Sequence, residues 1–219
     1  VQVRPRTYLT VGGADLYERF GMAVTDGFEL SPPEPVTHTV DVPGRNGALD
    51  LTEALSGDVT FSNRKMAFEL LWVGDAMAGF EAAKTALSNY LHGRRLAFTW
   101  SLDPGYEYTG RFSLTGYSSG IDYGTVSLEV DADPYKIKGP MSASLEAPGG
   151  TAALSCGRMP CVPTITTSGT ATVSADGYGP EEFPAGTHRV RGLVLRQGDN
   201  DVTVECTQPV ELSWEWGDL

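Results

Sequence analysis

The sequence predicts a mainly β protein with one helix: an α+β region over residues 1–138, then an antiparallel β-sandwich over 139–219. Three observations carry this. The 219 residues include Gly 26 and Pro 14, with Thr, Val and Tyr spread throughout, a composition that calls for many short strands and turns. Apolar residues alternate through three successive segments after residue 95. One helical period stands just before them, and none appears after residue 140.

Taken in order, Ser31-Pro32-Pro33-Glu34-Pro35 reads as a stiff, extended lead-in to a strand over Val36–Val42. Pro43-Gly44-Arg45-Asn46-Gly47 breaks that strand, and polar and small residues continue as far as Gly57. About 15 residues without strong periodicity is uncommon inside a compact domain, and points to an interface or a functional loop. Met66–Val73 is a more continuously apolar strand, expected to be covered on both faces. Asp75 is placed to cap a helix in which Phe80, Ala83, Leu87, Tyr90 and Leu91 share one side, and Gly93 supplies the left-handed stop.

Leu96, Phe98 and Trp100 then alternate with polar or small residues, and Asp103-Pro104-Gly105 turns the chain. Tyr108, Phe112 and Leu114 fall on one parity of the next strand. A turn at Ser118–Gly120 leads to Val126, Leu128 and Val130, completing a three-stranded antiparallel meander. A domain boundary is expected between Asp133-Pro134 and Gly139-Pro140. Beyond it, strands are expected at Pro163–Ala175, Gly186–Leu195, Asp201–Cys206 and Val210–Trp216.

The charge balance narrows the function. Lys+Arg 16 against Asp+Glu 28 gives −12, which argues against a chain that grips nucleic acid through phosphates. Half of that negative charge falls in the shorter second part. No apolar run is long enough to span a bilayer, and Val1–Arg6 holds two arginines with no apolar segment behind them, so no secretion signal is expected. Three cysteines do not make a disulfide framework and suit synthesis in a reducing compartment.

Several motifs could carry chemistry. Gly116-Tyr117-Ser118-Ser119-Gly120 matches G-x-S-x-G, but a hydrolase needs a strand-to-helix turn there, and a strand is expected to follow from Ile121. Cys156 and Cys161 have only the distant Cys206 and His188 as zinc partners, too few for a convincing site. Buried thiols, or a Cys156–Cys161 or Cys156–Cys206 bridge formed in an oxidising medium, are the alternatives. Asp199-Asn200-Asp201 resembles part of a calcium loop but lacks the distal ligands and is read as a turn. Glu181-Glu182 are adjacent in a Gly/Pro loop and cannot face each other across a sugar. Trp214 and Trp216 share one face of the last strand; core or interface packing is favoured over stacking on a glycan with Tyr178. The expectation is no enzyme, no catalytic residues, no metal and no cofactor.

Val42-Pro43-Gly44-Arg45-Asn46-Gly47-Ala48-Leu49-Asp50-Leu51-Thr52, followed by Gly57 and Phe61-x-Asn63-Arg64, resembles the signature stretch of the distal tail proteins of long, non-contractile-tailed phages. The resemblance covers residues 5–138 well and the remainder in outline. It implies an N-terminal domain similar to tail-tube proteins that closes into a hexameric ring, and an outward galectin- or carbohydrate-module-like sandwich. One ring or two stacked rings are both compatible with it. The implied partners are the tail tube, the tape-measure protein and the tail-associated lysin or fibre hub, at the distal end of the virion tail, after synthesis in the host cytoplasm. DNA would pass through the lumen without specific binding, and carboxylates lining it would repel phosphate. The 36–62 segment is then expected to be an inter-subunit arm, with Pro43, Gly44, Arg45, Asn46, Gly47, Asn63 and Arg64 as its signature residues. Arg45, Arg64 and Lys65 are expected to offset carboxylates at the contact. The alternative is a carbohydrate-binding module in which Trp214, Trp216 and Tyr178 contact a cell-wall glycan.

Overall fold

A computed structural model describes residues 7–54, 56–74, 77–120 and 123–219. The chain divides into two compact units between Pro134 and Tyr135. In the first, the elements run β1 (Leu9–Val11), β2 (Ala14–Asp15), α1 (Leu16–Phe20), β3 (Met22–Leu30), β4 (Thr39–Val40), β5 (Leu49–Asp50) and β6 (Arg64–Trp72). Next come α2 (Met77–Leu91), β7 (Arg95–Trp100), β8 (Tyr108–Ser119) and β9 (Gly124–Ala132). Seven strands form one antiparallel sheet in the order β2-β1-β7-β8-β9-β6-β3, and β4 pairs with β5 outside it.

The meander read from the alternation is present as β7-β8-β9. Its inward positions, Phe98, Phe112, Val126, Leu128 and Val130, are buried together with Leu9, Met66, Phe68 and Leu70. The α2 residues Phe80, Leu87 and Leu91 join this core, with Ala83 and Tyr90 half-buried against it. Close approach is permitted by Gly124, where a Cβ would lie 2.6 Å from the Phe80 ring. The helix ends at Gly93, whose φ of +76° needs no Cβ and whose N–H donates to the Phe112 carbonyl at 2.8 Å. Asp75, the expected cap, lies outside the described residues.

Three expectations are revised here. β6 is buried on one face only: Met66, Phe68 and Leu70 point in, while Lys65 and Glu69 are exposed on the open face of the sheet. There is a second helix, α1, a single turn and a half. The Asp15 carboxylate accepts from the N–H groups of Tyr17 at 2.9 Å and Glu18 at 3.4 Å, and Gly21 at φ +67° stops it. The strand expected over Val36–Val42 contracts to Thr39–Val40.

The second unit is built from β10 (Lys136–Leu145), β11 (Gly149–Cys156), β12 (Thr164–Thr167), β13 (Ala171–Ala175), β14 (Tyr178–Phe183), β15 (Gly186–Arg189), β16 (Gly198–Cys206) and β17 (Val210–Asp218). They form two four-stranded antiparallel sheets, β10-β17-β12-β15 and β11-β16-β13-β14. Their inner faces share one core of Leu154, Ile165, Val173, Val202, Val204, Leu212 and neighbours, which makes the unit a sandwich. The expected Pro163–Ala175 strand is two strands, β12 and β13, which turn at Ser168-Gly169 and enter different sheets. Gly139-Pro140 is not a linker. It lies inside β10, where a bulge between Ile137 and Gly139 absorbs the irregularity, and Pro140 is tolerated because β10 is an edge strand.

Candidate assembly site

The segment between β3 and β6 projects as a two-stranded arm, held at its base by a short ladder. Ser31 N–H donates to the Lys65 carbonyl at 3.0 Å, Ser62 N–H to Glu34 at 2.9 Å, and Val36 N–H to Thr60 at 2.9 Å. Pro33 is buried at this base and Pro35 bridges Phe61. Farther out, Thr39 pairs with Asp50 and Val40 with Leu49, and Leu51 N–H donates to the His38 carbonyl at 2.8 Å. The Asp50 carboxylate accepts from Thr52 twice, from N–H at 2.9 Å and from the hydroxyl at 2.5 Å. These bonds, the hydroxyl's first, hold its pKa below the usual value. The tip carries the signature residues. Arg45 N–H donates to Val42 at 3.1 Å, and Gly44 and Gly47 take φ of +81° and +77°. Pro43, Arg45 and Asn46 are exposed, as is Asn63 near the base.

Cross-strand register gives the arm two unlike faces, because opposed residues share a side. Extended by alternation from the Thr39–Asp50 and Val40–Leu49 pairs, Val36, His38, Val40, Val42, Leu49 and Leu51 fall on one face, mostly apolar, whereas Thr37, Thr39, Asp41, Asp50 and Thr52 fall on the other. Among the described residues this face is largely open: Val40 is 47 % exposed, Val42 40 %, Leu51 39 % and Val36 36 %, while Leu49 is half-buried. An isolated two-stranded ribbon is at best marginally stable in water. An apolar side on such a ribbon therefore asks for an external surface.

Arg64 belongs to a different environment from Arg45. It is only 8 % exposed, its Nη2 donates to the Pro134 carbonyl at 2.5 Å, and its guanidinium lies 5.8 Å from the Tyr108 ring centre. Its Nε finds no hydrogen-bond partner among the described residues. Burial lowers its pKa, partly countered by Tyr108 and Asp103. Tyr108 in turn donates to Asp103, and burial first, then that bond, raises its own pKa. Arg64 therefore anchors the returning strand inside its own unit and is not available to offset carboxylates at a subunit contact. Lys65, next to it, is exposed on the open sheet face and pairs across the strands with Asp131. That face also carries Arg95, which reaches Asp133 at 2.6 Å, and Arg111. Cations and carboxylates are therefore interspersed on it, rather than carboxylates alone.

In the sandwich, Trp214 is 7 % exposed and its indole N–H donates to the Ser155 carbonyl at 2.9 Å, so it is a core residue and not a stacking platform. Trp216 is half-buried, with its N–H on Asp218 at 2.7 Å and Lys138 5.4 Å from its ring. Tyr178 packs against the core edge and donates to Glu181; burial, then that carboxylate, push its pKa up to about 12. Glu181 and Glu182 are not in a loop. They lie on edge strand β14, where charges discourage pairing with another chain. Ser118 sits within strand β8 with no helix behind it, so the G-x-S-x-G match lacks the geometry of a nucleophile. Asp199-Asn200-Asp201 is not a turn but the start of β16, and the Asn200 side-chain amide donates to the carbonyls of Leu154, Arg196 and Gly198, so it is spent on backbone. Among the described residues, no cluster of His, Cys, Asp or Glu is arranged to hold a metal. Among the described residues, no helix is long and apolar enough to cross a membrane.

No protein-family model matches the chain, and no curated protein matches it by sequence. Solved structures do. The crystal structure of SPP1 Dit (gp 19.1), described as a paradigm of the hub adsorption apparatus in phages infecting Gram-positive bacteria, superposes with a TM-score of 0.72 at 16% identity. That match covers 97% of this chain and 99% of the other. The baseplate of phage p2 in its activated conformation is a more distant likeness, with a TM-score of 0.43 at 7% identity over 94% and 97% of the two chains. Over nearly its whole length the chain has the mainly β fold of SPP1 Dit.

Proposed function

We propose that this chain is a distal tail protein: a structural part of a phage tail tip whose copies close into a hexameric ring between the tail tube and the host-adsorption apparatus. The observation that carries the reading is the arm, a polar-and-apolar ribbon whose Val36, Val40, Val42 and Leu51 are each more than a third exposed among the described residues. The full-length fold match to SPP1 Dit and the Pro43–Arg64 signature support it independently. The apolar face is laid against the adjacent copy, and the open tip residues Arg45 and Asn46 reach that copy's surface. Net charge opposes closure, since every copy brings −12. Strand pairing and apolar burial must outweigh it, and a head-to-tail contact that closes on itself gives a ring.

The role is structural rather than catalytic, with the tail tube, tape measure and fibre hub as neighbours. A carbohydrate-binding role for the sandwich is the weaker reading, because burial of Trp214 removes its leading aromatic. Electron microscopy of the purified chain tests the proposal. Six-fold rings are expected in class averages. Single particles alone, at concentrations far above micromolar, would contradict it.

A further inference from the structure

The second unit contains a feature that a ring role leaves unused. Cys156 ends β11, Cys161 stands just before β12, and their Sγ atoms lie 3.3 Å apart with both thiols free. Those two strands belong to opposite sheets of the sandwich. The four residues between them form a strap along the end of β17. Met159 N–H donates to the Gly217 carbonyl at 3.0 Å, and a Cβ on Gly157 would lie 2.4 Å from that same oxygen. The two side chains are therefore held facing each other by backbone that is itself pinned. Cys161 is also tied to Leu195 by paired backbone bonds of 3.1 and 2.8 Å. Cys206, the third thiol, is also buried and free, in the same core.

We propose that Cys156 and Cys161 are a latent disulfide site, reduced when the chain is made and oxidised afterwards to cross-link the two sheets through the 157–160 strap. An S–S bond is about 2.05 Å long, within reach of side-chain rotation from the present contact. Cys161 is the more accessible of the two buried thiols, 9 % exposed against 2 % for Cys156, and lines a surface depression with Met159, Pro160 and Arg189, so a reagent meets it first.

The oxidant is a low-molecular-weight disulfide such as oxidised glutathione. Cys161 gives up its proton to solvent, and its thiolate attacks one sulfur of that disulfide and expels one thiolate. Cys156, deprotonated in turn, attacks the Cys161 sulfur, forms the protein S–S bond and expels the second. Two protein thiols become one disulfide, and one small disulfide becomes two thiols. Burial first, then the neighbouring Cys156 thiol, raise the pKa of Cys161 well above the usual value, which keeps the thiolate scarce and the reaction slow. A pair of this kind stays reduced in a glutathione-buffered cytosol and closes on exposure to an oxidising medium. The chemistry does not depend on ring formation.

The test uses the full chain. Arg158 lies between the two cysteines, so trypsin separates them onto different peptides, and Cys206 falls on a third. After incubation with excess oxidised glutathione, denaturing alkylation and digestion, a cross-linked pair containing Cys156 and Cys161 is expected, with Cys206 alkylated. Reduction should split it. The Cys206→Ser chain should give the same cross-link, and the Cys156→Ser chain should stop at a glutathione adduct on Cys161. Recovery of all three cysteines in alkylated form, a stable glutathione adduct on Cys161 in the unaltered chain, or a cross-link involving Cys206 would each overturn the assignment.

Discussion

Along β17 the inward positions Val210, Leu212 and Trp214 are sealed by an opposing sheet and are at most 7 % exposed. Along the arm, Val36, Val40 and Val42 occupy one parity in the same way, yet each leaves more than a third of its surface open. Both segments alternate apolar and polar residues, yet β17 is a nine-residue strand and the arm keeps only Thr39–Val40 of its 36–42 segment as strand. The cover differs too. The second unit brings its own, as a sandwich whose two sheets bury each other's inner faces. The arm's apolar side stays largely open among the described residues. Apolar alternation alone therefore does not tell a strand that is buried from one that is exposed.

Substitutions should separate the two kinds of region by the observable they move. The largest loss of stability is expected for Phe112→Ala. Its fully buried ring packs edge-on against Phe98 at 5.3 Å, and removal should cost about 3–5 kcal/mol in chemical denaturation. Trp214→Ala should cost about 3 kcal/mol, losing core volume and leaving the Ser155 carbonyl unpaired. A stability change near zero for that variant would mean the residue is not core and would reopen the glycan reading. Arg64→Ala should cost about 2 kcal/mol, because the Pro134 carbonyl loses a charged donor. Arg64→Met should cost about half as much, since it keeps volume and removes a buried charge with an unpartnered Nε.

The smallest effect belongs to the arm's own polar face. The folded pKa of Asp50 is depressed below 3.8 by its bonds from Thr52. Its contribution is therefore present above that value and is lost as pH falls through the lower, folded one. The Thr52 amide resonance should titrate with a midpoint below 3.8, and Asp50→Asn should flatten the curve. A midpoint at or above the usual value would remove the Thr52 bonds from the description of the arm.

Much of this was legible in the residue pattern. Strict alternation exposed the meander, and the 3.6-residue period with Gly93 exposed α2. Helix α1 was not, because five residues are too few to show a period; the usable sign was Asp15 three residues before Glu18, with Gly21 to end the turn. β10 was hidden by Gly139-Pro140, which reads as punctuation unless the strand is known to be an edge. β14 was hidden by Glu181-Glu182, whose charges suit an exposed edge as well as a loop. The arm was visible as an anomaly of length and proline content. Its division into an apolar and a polar face depended on the Thr39–Asp50 and Val40–Leu49 register, which residue pattern does not supply.

The central claim is that the apolar face of the arm holds neighbouring copies together. Its most direct test is the solution mass, by light scattering at micromolar concentration, of the full chain beside two altered chains. One carries Val40→Asp with Leu51→Lys, both at exposed positions, and the other lacks residues 44–56. The full chain should have the mass of a six-membered ring or a stacked pair. Both altered chains should be folded monomers, with the double substitution changing stability by no more than about 0.5 kcal/mol. Retention of the ring mass by either altered chain, or a monomeric full chain, would contradict the assembly role of the arm.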